Sequence, residues 1–308
     1  RALTPTGPDP VLRPMSDAPE PDSIDPELTD HVAAILGWTP SSWTRVHGGY
    51  TPAERRMVRR GAESAFVKVA TTPVTARMLR RELVAYRAFA APFMPRFLGG
   101  EDHPTRPFLV IEDLGGAAWP PPWTEARVAD ALAAIRAMHA LTPDLPSWAD
   151  QGGEGILGWR KVASVPAPFL SLGLVDPDWL ARSLPALVEA ETACVTAGSA
   201  LIHFDLRSDN ICFSPRGPVF VDWAASCLGS ADLDLGGWLP SLAFEGGPPP
   251  EAILPDAPEV AAWVCGYFAA RAGLPPIPDA PFVRRVQREQ LTTALPWVQR
   301  ALKLPLLA

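Results

Sequence analysis

The chain has 308 residues, 47% of them hydrophobic and 20% charged, a composition that supports one large core or two smaller ones and excludes disorder throughout. No apolar run approaches the roughly 18 residues a membrane-crossing helix needs, and no basic-then-apolar leader opens the chain, so no membrane partner and a cytoplasmic location are expected. The net charge of -7 is uneven: residues 1–113 carry 14 basic and 14 acidic groups, residues 114–308 carry 13 and 20. That balance argues against nucleic-acid binding, which needs a basic footprint, and permits a cationic substrate.

In chain order, residues 1–25 are rich in Pro and Asp without periodicity and read as a disordered or tag-like tail, with Met15 a candidate start. Pro26 to Leu36 predicts a short helix, and Trp43 to Val46 an extended stretch leading into the turn-rich Gly48-Gly49-Tyr50-Thr51-Pro52. Met57 to Arg60 and Phe66 to Ala70 read as strands joined by Gly61 to Ser64. Leu79, Leu83, Tyr86 and Ala90 mark the buried face of a helix from Val74 to Ala90. Phe97-Leu98 and Phe108 to Ile111 supply two further strands. The glycines after Leu114 close this part, giving a small sheet with one main helix over residues 26–113 and a second lobe over 114–308.

The second lobe reads as mainly helical, with amphipathic segments around Val128 to Met138, Trp179 to Ala197, Val260 to Ala272 and Val283 to Leu302, the last with Pro296 as a kink position. Between two of them, Leu201 to Gly229 is non-helical and holds a hairpin, Ile211-Cys212-Phe213 and Val219-Phe220-Val221 around Ser214-Pro215-Arg216-Gly217. The cysteines at 194, 212, 227 and 265 have neither disulfide-framework nor zinc spacing.

Two features carry chemistry. Arg outnumbers Lys 24 to 3, and one of the three lysines, Lys68, sits inside the apolar run Ala65 to Ala70, where a solvated charge is out of place. Further on, the apolar Leu201-Ile202 leads into His203-Phe204-Asp205-Leu206-Arg207-Ser208-Asp209-Asn210, and the hairpin delivers Asp222 at its exit. Phosphoryl transfer uses such a set: a carboxylate and an amide oxygen for magnesium, a hard cation, and a separate carboxylate for the attacking hydroxyl.

The pattern H-x-D-x-x-x-x-N, followed after a hairpin by hydrophobic-D-W, resembles the aminoglycoside phosphotransferase and choline kinase group, relatives of protein kinases. The resemblance implies an α+β, two-lobed protein-kinase-like fold and an ATP- or GTP-dependent small-molecule kinase. It implies that Asp205 is the catalytic base and that Arg207 steadies the transferring phosphoryl group. Asn210 and Asp222 would hold Mg2+. Gly49 and Thr51 would lie in the phosphate loop, Lys68 on the α- and β-phosphates paired with Glu82, and the backbone of Glu112 and Leu114 on adenine. Asp234 would brace the catalytic loop and His203 would be structural. A full G-x-G-x-x-G is absent from the loop, and no P-loop motif occurs anywhere.

The acceptor is expected to be a hydroxylated small molecule, an aminoglycoside-like or other antibiotic, with resistance as the biological setting. A metabolite such as an amino alcohol, sugar or nucleoside is the alternative. A nucleotide-binding pseudokinase is the third class, and the presence of Lys68, Asp205, Asn210 and Asp222 speaks against it. The acidic second lobe suggests a cationic acceptor, with Asp209, Asp232 and the acidic groups of residues 141–200 near its path.

Overall fold

The computed structural model describes residues 24–153, 156–278 and 280–306; residues 1–23 of the expected tail lie outside them. A helix, α1 (Pro26–Leu36), precedes an antiparallel sheet of β1 (Ser42–Arg45), β2 (Glu54–Arg60), β3 (Glu63–Val69), β4 (Phe97–Glu101) and β5 (Phe108–Glu112), in the order β1-β2-β3-β5-β4. The first strands are longer than their apolar stretches suggest. The β2 to β3 turn is only Gly61-Ala62, because Arg60 pairs with Glu63, and Gly61 has a left-handed φ of 59° that glycine adopts without strain.

Helix α2 (Pro73–Ala88) is inserted between β3 and β4. Its start is fixed by Thr72, which accepts a hydrogen bond from the Thr75 N–H while the Thr75 hydroxyl accepts from the Thr72 N–H, and by Pro73 in the first turn. Leu79, Leu83 and Tyr86 point inward as their spacing predicts. Glu82 falls on the same face, and a carboxylate carried into the core by helical periodicity must find a partner there.

The remainder is helical: α3 (Glu125–His139), α4 (Gly158–Ser164), α5 (Ala167–Leu170), α6 (Pro177–Ala193), then α7 (Ala231–Phe244), α8 (Pro250–Ile253), α9 (Pro258–Ala272) and α10 (Val283–Ala301). Short strands interrupt it, β6 (Ala200–Ile202) pairing with β9 (Cys227–Gly229) and β7 (Ile211–Ser214) with β8 (Gly217–Phe220). Helix α9 is the hub, buried on most sides and packed against α4, α6, α7 and α10. The core is continuous from α2 into this part, with Phe89 and Phe93 against the buried Trp223 at ring separations of 5.4 and 6.1 Å. Among the described residues no helix is long and apolar enough to cross a membrane.

Three expectations need adjusting. Helix α6 stops at Ala193, four residues short of Ala197: Val195-Thr196 favour extended backbone, and the Thr196 carbonyl accepts from Ser230 N–H. Helix α10 runs through Pro296 without a break. Helix α7 has no counterpart in the sequence reading; it is buried almost all round and contains Gly236, Gly237 and Pro240, so it shows no apolar stripe at the helical period.

Candidate active site

The chain leaves β6 at Ile202 and turns sharply: Phe204 has φ 60°, a left-handed conformation that places Asp205 beyond the strand end. Asp234, near the start of α7, holds that turn. Its Oδ1 accepts from the Phe204 N–H at 2.6 Å, its Oδ2 accepts from the His203 N–H at 3.2 Å, and His139 Nε2 lies 2.9 Å from Oδ2. The side chain of His203 is enclosed, with Nε2 donating to the Val221 carbonyl at 3.0 Å and Nδ1 accepting from the Asp205 N–H at 3.3 Å. Both ring nitrogens are thereby used in the neutral form, and burial pushes the imidazole pKa down. Asp234 braces the loop and His203 is structural, as the sequence suggests.

Asn210 donates through Nδ2 to both the Asp205 carbonyl, at 2.8 Å, and Asp205 Oδ2, at 3.0 Å. Arg207 sits between two carboxylates, Nη2 3.3 Å from Asp205 Oδ2 and Nε 3.2 Å from Asp209 Oδ1, with its guanidinium 4.9 Å from the centre of the Tyr50 ring. Burial pushes the Asp205 carboxyl up to about 6; Arg207 and Asn210 oppose the rise, and Asp209 and Asp222 add to it. Asp205 is therefore a stronger base than an ordinary carboxylate, ionised above about pH 6. The loop is also tied to the end of α7, where Glu245 accepts from the Ser208 hydroxyl and from Trp123 Nε1.

Asp222 follows β8 in a left-handed conformation, φ 65° and ψ 62°, ahead of a short 3-10 turn at Trp223–Ala225. There it meets Lys68 from β3 and Glu82 from α2: Lys68 Nζ is 2.7 Å from Glu82 Oε2 and 3.1 Å from Asp222 Oδ1. Lys68 and Glu82 are only 9% and 2% exposed, so the cation is held by charge and not by water. Burial alone would pull the ammonium pKa down; the carboxylates of Asp222 and Glu82 outweigh it and the net shift is upward. Asp222 is drawn below the ordinary carboxylate range: burial opposes this, and Lys68 prevails.

A second cation at this place was not read from the sequence. Arg55 on β2 lies directly across from Lys68 in the strand register. Its guanidinium donates to the carbonyls of Thr51 and Ala53 at 3.2 and 2.9 Å and to the Thr51 hydroxyl at 3.2 Å. Gly49, at φ 75°, makes room for it, since a Cβ there would stand 2.5 Å from Arg55 Nη2. The Thr51 hydroxyl oxygen thus accepts from Arg55. Glu112 closes β5 and Leu114 lies two residues beyond it; the Glu112 N–H donates to the Arg96 carbonyl at 3.0 Å and its carboxylate pairs with Arg216. That side chain is a brace for the hairpin.

Beside Asp205 opens a cavity of about 360 Å3, walled by the catalytic loop, Tyr50, Trp148 and helices α7, α9 and α10. Asp205 and Asp234 are its carboxylates. Asp209, Asp232 and the described acidic groups of residues 141–200 do not line it. Asp209 is paired with Arg207, Asp176 caps α6, Asp150 binds Ser147, and Glu191 accepts the Gly158 and Trp159 N–H groups at the start of α4.

The model of the phosphotransferase enzyme family matches residues 42–274, about three quarters of the chain. The chain belongs to that family. This phosphotransferase-family protein is a small-molecule kinase with the two-lobed, protein-kinase-like fold. Among curated proteins none matches it by sequence. Solved structures match the fold: aminoglycoside phosphotransferase APH(4)-Ia superposes with a TM-score of 0.54 at 15% identity, covering 90% of this chain and 98% of that one. A thermostable mutant of that enzyme, in a ternary complex with AMP-PNP and hygromycin B, gives the same values. The choline kinase LicA from Streptococcus pneumoniae has a TM-score of 0.54 at 12% identity, covering 90% and 96%.

Proposed function

We propose that this phosphotransferase moves the γ-phosphate of ATP or GTP to a hydroxyl of a small molecule in the cleft between sheet and helices. The observation that carries the reading is the convergence of Lys68, Glu82 and Asp222 from three separate elements, next to an Asp205 held by Asn210. Lys68, with Arg55 behind the loop, offers positive charge to the phosphates, and the backbone around Glu112 and Leu114 takes the base.

The donor set fits Mg2+. Both Asn210 N–H groups point to Asp205, which leaves its carbonyl oxygen, and Asp222 keeps the oxygen that Lys68 does not bind. Two hard oxygen ligands, with phosphates and water completing the shell, suit magnesium. When bound, the ion would neutralise charge on the β- and γ-phosphates. Among the described residues no cluster of three or more His, Cys, Asp or Glu offers a metal site of another kind.

Asp205 receives the acceptor proton as the acceptor oxygen bonds to the γ-phosphorus. The bond from phosphorus to the bridging oxygen breaks, its electron pair leaves with the nucleoside diphosphate, and the products are a phosphate monoester and a proton. Arg207, 3.3 Å from Asp205, stabilises charge on the group in transit. Acceptors to screen are antibiotic alcohols, aminoglycosides included, and metabolite alcohols. Calorimetry with a non-hydrolysable ATP analogue tests the nucleotide site. Binding should require magnesium and be lost in Asp222→Ala; binding indifferent to both would sink the metal assignment.

A further inference from the structure

The cavity beside Asp205 has a chemistry of its own. Trp148, Phe204, Trp263 and Tyr267 form a continuous aromatic wall: Trp148 to Phe204 is 4.2 Å between ring centres, Phe204 to Trp263 5.9 Å, and Trp263 to Tyr267 6.0 Å in a near-parallel stack. Such a surface takes a flat, ring-rich body and excludes water from it.

The charges point away from a cationic ligand. Asp234 is spent on two backbone N–H groups and His139, and Asp205 shares its charge with Arg207 and Asn210. Arg207, paired with both Asp205 and Asp209, sets a guanidinium against those two carboxylates at the cavity mouth. Tyr267 already carries a cation, with the Arg271 guanidinium 4.0 Å from its ring centre.

Polar groups in the wall lack a protein partner, the buried Trp148 Nε1 among them. The Gln290 side chain is 94% buried, lines the cavity, and makes no hydrogen bond among the described residues; its neighbour Gln287 is tied to Arg284 at 2.9 Å. An amide that faces the cavity without a protein partner can pair with a hydroxyl, carbonyl or ether through its donor and acceptor together.

We propose that this cavity is the acceptor subsite and that the acceptor is an uncharged alcohol with a flat, largely apolar body, its hydroxyl at Asp205 and a neutral polar group at Gln290. The proposal rests on the phosphotransfer reading above and adds the acceptor class to it.

The test compares three probes on the full chain with magnesium and ATP analogue present: 2-(6-methoxynaphthalen-2-yl)ethanol, a quaternary ammonium alcohol of the same size and ring system, and hygromycin B. Calorimetry reads affinity, and product formation with ATP reads transfer. The neutral probe should bind at least about 10-fold more tightly than either cation. Gln290→Glu, which puts an unpaired carboxylate into the wall, should reverse the order of the two naphthalene probes, and Trp263→Ala should weaken the neutral probe about 10-fold. Equal or tighter binding of a cation to the unaltered protein overturns the acceptor class, whatever the variants do, and its phosphorylation would leave the phosphotransfer reading intact. Tight binding of the neutral probe without any phosphorylation would uphold the acceptor class and count against phosphotransfer.

Discussion

Replacing Glu82 by Gln tests whether the buried cation is held by two charges or one. Lys68 Nζ is 2.7 Å from Glu82 and 3.1 Å from Asp222. At an effective dielectric of about 20 these separations correspond to Coulomb attractions of about 6 and about 5 kcal/mol before desolvation is set against them. Removing one partner of a buried pair outright costs about 3–5 kcal/mol. In Glu82→Gln the amide oxygen still accepts a hydrogen bond and Asp222 still supplies nearly half of the attraction, so the expected loss is about 2 kcal/mol. The functional consequence is larger than that figure suggests. With Glu82 neutral, Lys68 is drawn towards Asp222 and occupies the carboxylate proposed for the metal, so affinity for magnesium and nucleotide should fall about 10-fold or more. Urea unfolding reads the first effect and calorimetry with an ATP analogue the second. A loss below about 0.5 kcal/mol with unchanged nucleotide affinity would refute the reasoning, since Asp222 alone would then be holding the cation.

Asp205→Asn should lower turnover about 100-fold or more and leave nucleotide affinity within a few-fold, as measured by product formation and calorimetry. Because the Asp205 carboxyl titrates at about 6 and must be ionised to accept a proton, kcat/KM should rise with pH and reach its plateau above pH 7. A carboxylate whose folded pKa is raised costs stability as pH climbs from its unfolded value through 6, so Asp205→Asn should also raise Tm at pH 8 by thermal unfolding. Arg55→Leu should raise KM for nucleotide about 10-fold, since it removes a guanidinium positioned behind Gly49 and across from Lys68; an unchanged KM would reduce Arg55 to a loop brace. Glu191→Ala strips the acceptor from the Gly158 and Trp159 N–H groups and should cost about 3 kcal/mol in urea unfolding, with KM for both substrates unmoved.

The parts legible in the sequence are those encoded locally. The catalytic loop, the hairpin and Asp222 lie within 22 residues, and Lys68 stands out as a charge in an apolar strand. Glu82 was reachable because one strand, one turn and one helix separate it from Lys68, a path whose geometry is nearly fixed. Helix α7 was hidden because a helix buried on all sides loses the polar face that makes periodicity visible. Arg55 was hidden among Arg55, Arg56, Arg59 and Arg60 on one strand, and only the register across from Lys68 separates it from the others. The cavity was beyond reach for a different reason: Tyr50, Trp148, Phe204, Trp263 and Gln290 are brought together by the folding of distant segments. The charge surplus of the second half pointed towards a cation, yet among its described carboxylates only Asp205 and Asp234 line the cavity, while Asp176 caps a helix and Glu251 pairs with Arg300.

The walls of the cavity come from two sources with different freedom to change. Phe204 and Asp205 belong to a turn whose backbone is clamped by Asp234 and His203, so a substitution on that side disturbs rate and fit together. Trp263, Tyr267 and Gln290 project from α9 and α10, which carry none of the proposed transfer residues and meet the loop through Trp263 against Phe204. A designer wishing to redirect this scaffold to another alcohol can therefore remodel the helical side while the loop keeps its geometry. A graft of a helix pair with new side chains at 263, 267 and 290 is the smallest change that would alter what is phosphorylated without altering how.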